Sequence, residues 1–171
     1  MKNLLKPLQI YILIGLPGSG KSTWSKNTLT QSDNDTVIVS SDCIREMLHG
    51  KYLYDKKFEP LVVQSTFDTI KLAINSKYNV IIDEALLSLD VTRRMMLVNL
   101  IKSYDDTVKI RFVSFKPDMV TSVERRMKEH RGISKERWQK IYEDLFTSYE
   151  SVQESEPFDS IEHIDIFKQA T

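Results

Sequence analysis

The chain has 171 residues, enough for one compact domain with its own core. Hydrophobic residues at 41% and charged residues at 28%, with only five Gly and five Pro, exclude collagen-like and low-complexity composition. Formal net charge is zero, from 24 basic and 24 acidic residues, which excludes a uniformly basic protein that coats nucleic acid.

Residues 9–14, Gln-Ile-Tyr-Ile-Leu-Ile, form an apolar β-branched run bounded by Pro7 and Gly15, and predict a buried strand. The glycine-rich stretch from Gly15 to Ser22 follows, then a helix over 22–29. Asp33, Asn34 and Asp35 make a loop, and residues 36–39 a second buried strand. Ile44, Met47 and Leu48 have helical spacing, which places Ser41 or Asp42 at the N-cap and Gly50 at the stop. Apolar residues between Phe58 and Lys77 recur with the helical period, and Pro60 suits the first turn. Residues 80–82 predict a strand ending in Asp83 and Glu84. A helix is expected over 90–102, a strand over 108–115, and a helix from Pro117 to about Glu129, where Gly132 breaks the chain. A further amphipathic helix starts near Ser134 and places Trp138, Ile141, Leu145 and Tyr149 on one face, before a short last strand over 161–166.

Strands alternating with helices predict an α/β domain whose mainly parallel sheet is flanked by helices and binds ligands beyond the carboxyl ends of its strands. Neither a repeat nor a linker divides it, so residues 1–171 are read as a single domain. The longest strongly apolar run, 10–16, is far short of the roughly 20 residues that cross a bilayer, so no membrane helix is expected. Lys6 and Pro7 interrupt Leu4 and Leu5 before any secretory core can form, and a cytoplasmic location is the expectation. Cys43 is the only cysteine, so no internal disulfide is possible, and His49, His130 and His163 lack zinc-site spacing.

Gly15-x-x-x-x-Gly20-Lys21-Ser22 satisfies the phosphate-binding loop pattern, with a strand leading in and a helix leading out. Its glycines let successive N–H groups curl around a phosphate chain at a helix N-terminus. Lys21 is placed to meet the β- and γ-phosphates, and the Ser22 hydroxyl to meet Mg²⁺. No Asn-Lys-x-Asp guanine-reading element occurs.

Three further groups fall near the same sheet edge. Asp42 follows the second strand as a carboxylate able to orient and deprotonate an acceptor hydroxyl; Arg45, three residues on, shares its helical face and suits an anionic acceptor. Read alone, Asp42 is more readily an N-cap, the common role of such a residue. Asp83 and Glu84 end the third strand, where a carboxylate meets the metal's water shell, and either could be the one that does so. Arg125, Arg126 and Arg131, between two predicted helices, are candidates for a lid over 117–140 that closes on phosphates. For Arg93 and Arg94, packing or ion pairing is expected of at least one. Residues 116–140 carry eight Lys/Arg against four Asp/Glu, net +4, whereas 141–171 carry one against eight, net −7, so a basic surface precedes an acidic C-terminal tail over 150–171.

Taken together, Gly15-Leu-Pro-Gly-Ser-Gly-Lys-Ser-Thr-Trp24, Ser41-Asp42-x-x-Arg45, Tyr52-x-Tyr-x-Lys-Lys57, Phe67-Asp68-Thr69, residues 80–83, Arg93-Arg94 and Arg131-Gly132 resemble the phosphate-loop kinase superfamily. Within it they are most similar to the kinase domains of the bacteriophage polynucleotide kinase family, over roughly residues 9 to 145. The resemblance implies a three-layer P-loop kinase fold with a helical lid, and ATP and Mg²⁺ as cofactors. It assigns nucleotide binding to Gly15, Pro17, Gly18, Ser19, Gly20, Lys21, Ser22 and Thr23. It also gives the metal to Ser22 and Asp83, activation of a nucleic-acid 5′-hydroxyl to Asp42, the acceptor's phosphate to Arg45, and the ATP phosphates to Arg126 and Arg131. The chain departs from the family in reading Asp83-Glu-Ala-Leu86 where many relatives have Asp-x-Thr-Asn, and in a longer stretch before Arg93. No Asp-x-Asp-Gly-Thr element is present, so kinase activity without 3′-phosphatase activity is expected.

The implied partners are ATP and a DNA or RNA 5′-hydroxyl end, with no membrane; an oligomer is compatible with the sequence. Two alternatives stand beside this reading. One is a kinase of the same fold acting on a small-molecule hydroxyl such as a nucleoside or sugar; the other is an ATP-binding switch that transfers nothing.

Overall fold

The structure is a computed structural model that describes residues 6–32, 35–51, 54–129 and 132–165. Five strands, β1 (Gln9–Ile14), β2 (Thr36–Val39), β3 (Asn79–Ile82), β4 (Lys109–Phe115) and β5 (Ser160–Ile164), form one sheet in the order β2-β3-β1-β4-β5. Every pairing is parallel. The helices are α1 (Lys21–Thr30), α2 (Ser41–His49), α3 (Glu59–Asn75), α4 (Val91–Tyr104), α5 (Met119–Lys128) and α6 (Lys135–Thr147), with a 3₁₀ turn at Leu86–Ser88. The α/β fold expected from the strand–helix alternation is therefore present.

Strand alternation sorts the core. Ile10, Ile12 and Ile14 of β1 face one side with Val80, Ile82, Ile110 and Phe112, against Ile70 and Ile74 of α3 and Leu97, Val98 and Ile101 of α4. Leu13 faces the other side with Ile81, Val113 and Phe115, beneath Trp24 of α1. A third cluster joins α5 to α6 through Val123, Trp138 and Tyr142, and reaches Leu16 of the phosphate loop. Because β1 lies at the centre with both faces covered, its carboxyl end is fixed from all sides. The phosphate loop leaves from that end.

Several helix boundaries differ from the sequence expectation. The N-cap of α2 is Ser40, whose extended backbone (φ −141°, ψ 126°) opens the helix, so Ser41 and Asp42 are its first two helical residues and neither is the cap. Of the three apolar residues read there, Ile44 is buried, whereas Met47 is 73% exposed, because α2 lies on the surface. Helix α6 buries Trp138 and Tyr142 and ends at Thr147, so Tyr149 falls beyond it. The last strand starts at Ser160, and Ile166 lies outside the described residues. Among the described residues, no helix is long and apolar enough to cross a membrane.

The described part of the acidic C-terminal segment, residues 150–165, is bound into the fold. Arg94, fully buried, donates to both Glu156 carboxylate oxygens at 2.7 and 2.8 Å and to the carbonyls of Ser88, Glu150 and Ser151. Asp159 accepts from Lys109 Nζ and from the Ile110 amide, both at 2.8 Å, which seats β5 beside β4. The Lys109 ammonium, donating to Asp159, is the chief reason that carboxyl lies below its usual pKa. Arg94 thus fulfils the pairing expected of one of the two adjacent arginines, while Arg93 stays at the surface beside Asp90. Removing one partner of a buried ion pair leaves the other charge uncompensated. Arg94→Met should lower folding stability by roughly 3–5 kcal/mol in urea titrations, and Arg94→Met combined with Glu156→Leu should lose much less. A single variant as stable as the parent chain would contradict this assignment.

Candidate active site

The phosphate loop runs from Gly15 to Gly20, and α1 begins at Lys21 with Gly20 as its N-cap at φ +97°. Gly18 has φ +81°, and a Cβ there would lie 2.5 Å from the Ser122 carbonyl oxygen of α5, so both the conformation and the space require glycine. Arg125 reinforces the contact by donating to the Gly18 carbonyl at 3.3 Å. The loop is therefore clamped between its own strand and α5. The Ser19 hydroxyl is buried with no hydrogen-bond partner among the described residues, as a group reserved for an anion would be. Ser22 and Thr23 are exposed on the first turn of α1, and Pro17 lines the cleft beside Gly18.

Lys21 folds back under this loop. Its ammonium donates to the Gly15 carbonyl at 2.8 Å and the Leu16 carbonyl at 3.0 Å, and it is 6% exposed. Burial lowers its pKa to about 8; Asp83, Glu84 and Asp42 pull it up, and Arg126 pushes it down. Two neutral carbonyls do not balance a cation. Lys21 is thus prepared for a strongly anionic ligand.

Three carboxylates stand opposite. Asp42 is half-buried and accepts from Arg45 Nη1 at 2.8 Å. Arg45 also grips both Glu59 oxygens, at 2.9 and 2.7 Å, and donates to Ser41 Oγ at 3.1 Å. The Ser41 hydroxyl in turn donates to Glu84, whose other oxygen accepts from the Leu86 amide at 3.1 Å. Burial raises the Glu84 pKa, and the Ser41 and Leu86 hydrogen bonds oppose that rise. Asp83 and Glu84 differ in their surroundings. Glu84 is buried and occupied by internal donors, whereas half-exposed Asp83 exerts the largest carboxylate attraction on Lys21.

On the remaining side, Arg126 lies over the Trp138 ring at 5.5 Å and donates to Glu129 at 2.7 Å, while its Nε is buried without a hydrogen-bond partner among the described residues. Arg131 lies outside the described residues. The segment 117–140 comprises α5 and the first half of α6, and the helix continues to Thr147. Lys21, Ser22, Asp42, Arg45, Asp83, Glu84 and Arg126 line one cleft of about 1780 Å³ that runs from the phosphate loop to Trp138. A small-molecule pocket takes roughly 300–1,000 Å³, so this cleft has room for a nucleotide and an acceptor together.

Sequence reasoning missed Glu59 and gave Ser41 only a capping role. Glu59 stands 14 residues from Arg45, and nothing in the helical period of α3 marks it as a partner. The signal for Ser41 was its place beside Asp42 at a strand end.

The family model described as an AAA domain, AAA_33, matches residues 10–144. The chain belongs to the AAA_33 family. Its fold is that of the phosphate-loop kinases. Among curated relatives of this AAA_33 domain, the L-seryl-tRNA(Sec) kinase of Methanococcus maripaludis is 31% identical over 99 residues, covering 56% of this chain and 37% of the relative. A chain in the solved structure of the Pnkp1/Rnl/Hen1 RNA repair complex superposes with TM-score 0.67 and 26% identity, covering 86% of this chain and 45% of that one. A sugar kinase from Janibacter sp. HTCC2649 shares the fold, with TM-score 0.56 and 16% identity over 93% of this chain and 86% of the other. The matched regions thus take up less than half of the first two relatives.

The lowered pKa of Lys21 fixes a sign. In the unfolded chain this lysine holds its proton up to about pH 10.5, so below pH 8 the charge opposes folding, and the opposition fades as pH rises from 8 to 10.5. Lys21→Met should therefore be more stable than the parent near neutrality by about 3 kcal/mol, with the gap closing towards pH 10.5 and nucleotide affinity lost. Thermal melts across that range check it; a Met variant that melts lower at pH 7 would count against the charge imbalance.

Proposed function

We propose that this AAA_33 domain transfers the γ-phosphoryl group of ATP to a hydroxyl, and that the hydroxyl is the 5′ end of a nucleic-acid strand. The observation that carries the reading is Asp42, held by Arg45 at 2.8 Å and lining the same cleft as Lys21. A carboxylate facing a phosphate cradle can accept the proton of an attacking hydroxyl. Two substrates then react by positioning and electrostatics.

The loop amides and Lys21 bind the triphosphate, and proximity to phosphate holds the ammonium in its charged form. The acceptor oxygen attacks the γ-phosphorus, the bond to the β–γ bridging oxygen breaks, and the hydroxyl proton passes to Asp42. Arg45, fixed by Glu59 and Ser41, keeps that carboxylate oriented and brings positive charge to the acceptor side. Arg126, with Arg131, supplies charge to the transferring group, and residues 117–140 act as a lid that closes over it. For Mg²⁺, the hard oxygen donors Ser22 and Asp83 suit an ion that takes few protein ligands and keeps several waters. When bound, the ion neutralises charge on the phosphate oxygens.

The nucleic-acid acceptor is supported by the motif order, from Ser41-Asp42-x-x-Arg45 to Arg131-Gly132, and by likeness to a chain of an RNA repair complex. A second reading, a small neutral hydroxyl acceptor, is favoured by the acidic lining of the acceptor side, where Asp42, Glu46 and Glu84 face the cleft. Incubation with γ-labelled ATP separates the two. Label should pass to a 5′-hydroxyl oligonucleotide, not to its 5′-phosphorylated counterpart, and glycerol or a free nucleoside should compete poorly. Asp42→Asn should slow transfer by roughly 10²–10⁴-fold while ATP still binds. An unlabelled oligonucleotide in the presence of bound ATP would defeat the nucleic-acid reading, and transfer that tolerates Asp42→Asn would defeat the role of that carboxylate.

A further inference from the structure

Arg45 is heavily committed. Its guanidinium donates twice to Glu59 and once each to Asp42 and Ser41. An acceptor phosphate that took the place of Asp42 on this guanidinium would free the very carboxylate that has to be aimed. Recognition of the acceptor therefore falls on what lies beside Arg45.

What lies beside it is Tyr54. The guanidinium carbon of Arg45 sits 5.8 Å from the centre of the Tyr54 ring, and Tyr54 lines the cleft while remaining 56% exposed. A large aromatic ring standing in solvent at the rim of a charged cleft, backed by a cation on one face, is a stacking platform. Its surroundings carry the charge a nucleic-acid backbone needs: Lys51 lines the same cleft, and Lys56 and Lys57 are exposed on the adjoining turn. That turn is ordered. The Asp55 side chain accepts from the Lys57 amide at 2.9 Å, and its carbonyl accepts from the Phe58 and Glu59 amides, so the ring is carried on the same rigid entry to α3 that delivers Glu59 to Arg45.

We propose that Tyr54 stacks on the 5′-terminal base of a single-stranded acceptor, with Lys51, Lys56 and Lys57 along its backbone, and that Arg45 is a positioning residue for both Asp42 and Tyr54. The inference rests on the nucleic-acid reading above and names the part of the strand that is read. Stacking is tolerant of base identity, so the site selects a terminal base over none, without preference for sequence.

The test is equilibrium binding of two short single-stranded oligonucleotides to the full chain. Both carry a 5′-hydroxyl and a 3′ fluorophore; one has a base on its first residue and the other is abasic there. The parent protein should bind the base-bearing strand roughly 5- to 150-fold more tightly. Tyr54→Ala should abolish that ratio by weakening the base-bearing strand alone, and Tyr54→Trp should keep it. Equal affinity for both strands in the parent protein, failure to bind either, or an undiminished ratio in Tyr54→Ala would overturn the inference. A ratio that behaves as expected, in a protein that transfers no phosphate, upholds the stacking platform and removes the kinase reading instead.

Discussion

A cation buried at the base of the phosphate loop, hydrogen-bonded among the described residues to two carbonyl oxygens, is the constraint from which the rest of the site follows. Lys21 could have reached solvent or paired directly with a carboxylate, and either would have stabilised the empty protein. Instead Ile14 and Leu16, both fully buried, fix the strand end above it, and Gly18 against Ser122 fixes the loop. The result is a site whose charge is completed only by a ligand. Stability is given up locally for affinity, and the extensive β1 core offsets the loss.

The parallel sheet converts that local imbalance into a reaction geometry. With strands in the order β2-β3-β1-β4-β5, the carboxyl ends of β1, β3 and β2 lie side by side. The phosphate loop, then Asp83 and Glu84, then Ser41 and Asp42 therefore follow one another along a single edge. No hydrogen bond or ion pair links Lys21 to the three carboxylates among the described residues, yet all of them act on its proton affinity. Arg45 is the hub on the far side: by holding Asp42, Ser41 and Glu59 together it ties the first turn of α2 to the first turn of α3. A similar device anchors the other end of the chain, where Arg94 and Glu156 join α4 to the segment leading into β5.

What could be read from the residues alone was what is local and contiguous. The phosphate-loop motif occupies eight successive positions, and β1, β2 and β3 are short, mainly apolar runs, so both declare themselves in one window of sequence. The partners of Arg45 and Arg94 do not. Glu59 is 14 residues from Arg45 and Glu156 is 62 from Arg94, and both carboxylates carry the ordinary look of surface residues on polar segments. Nor does the run of acidic residues after 150 announce its partners, although Glu150, Glu156 and Asp159 each accept a hydrogen bond from the fold. The α2 cap lies one residue before Ser41 and two before Asp42, the positions read for it, and the difference matters: with Ser40 as the cap, Ser41 and Asp42 are left to line the cleft.

A crystal structure with a non-hydrolysable ATP analogue, Mg²⁺ and a 5′-hydroxyl oligonucleotide bears most directly on the account. It should show the γ-phosphate over Lys21, with the terminal oxygen of the oligonucleotide within hydrogen-bonding reach of Asp42 and in line with the β–γ bridge. A triphosphate seated in the loop while the terminal oxygen approaches from a side remote from Asp42 would contradict it.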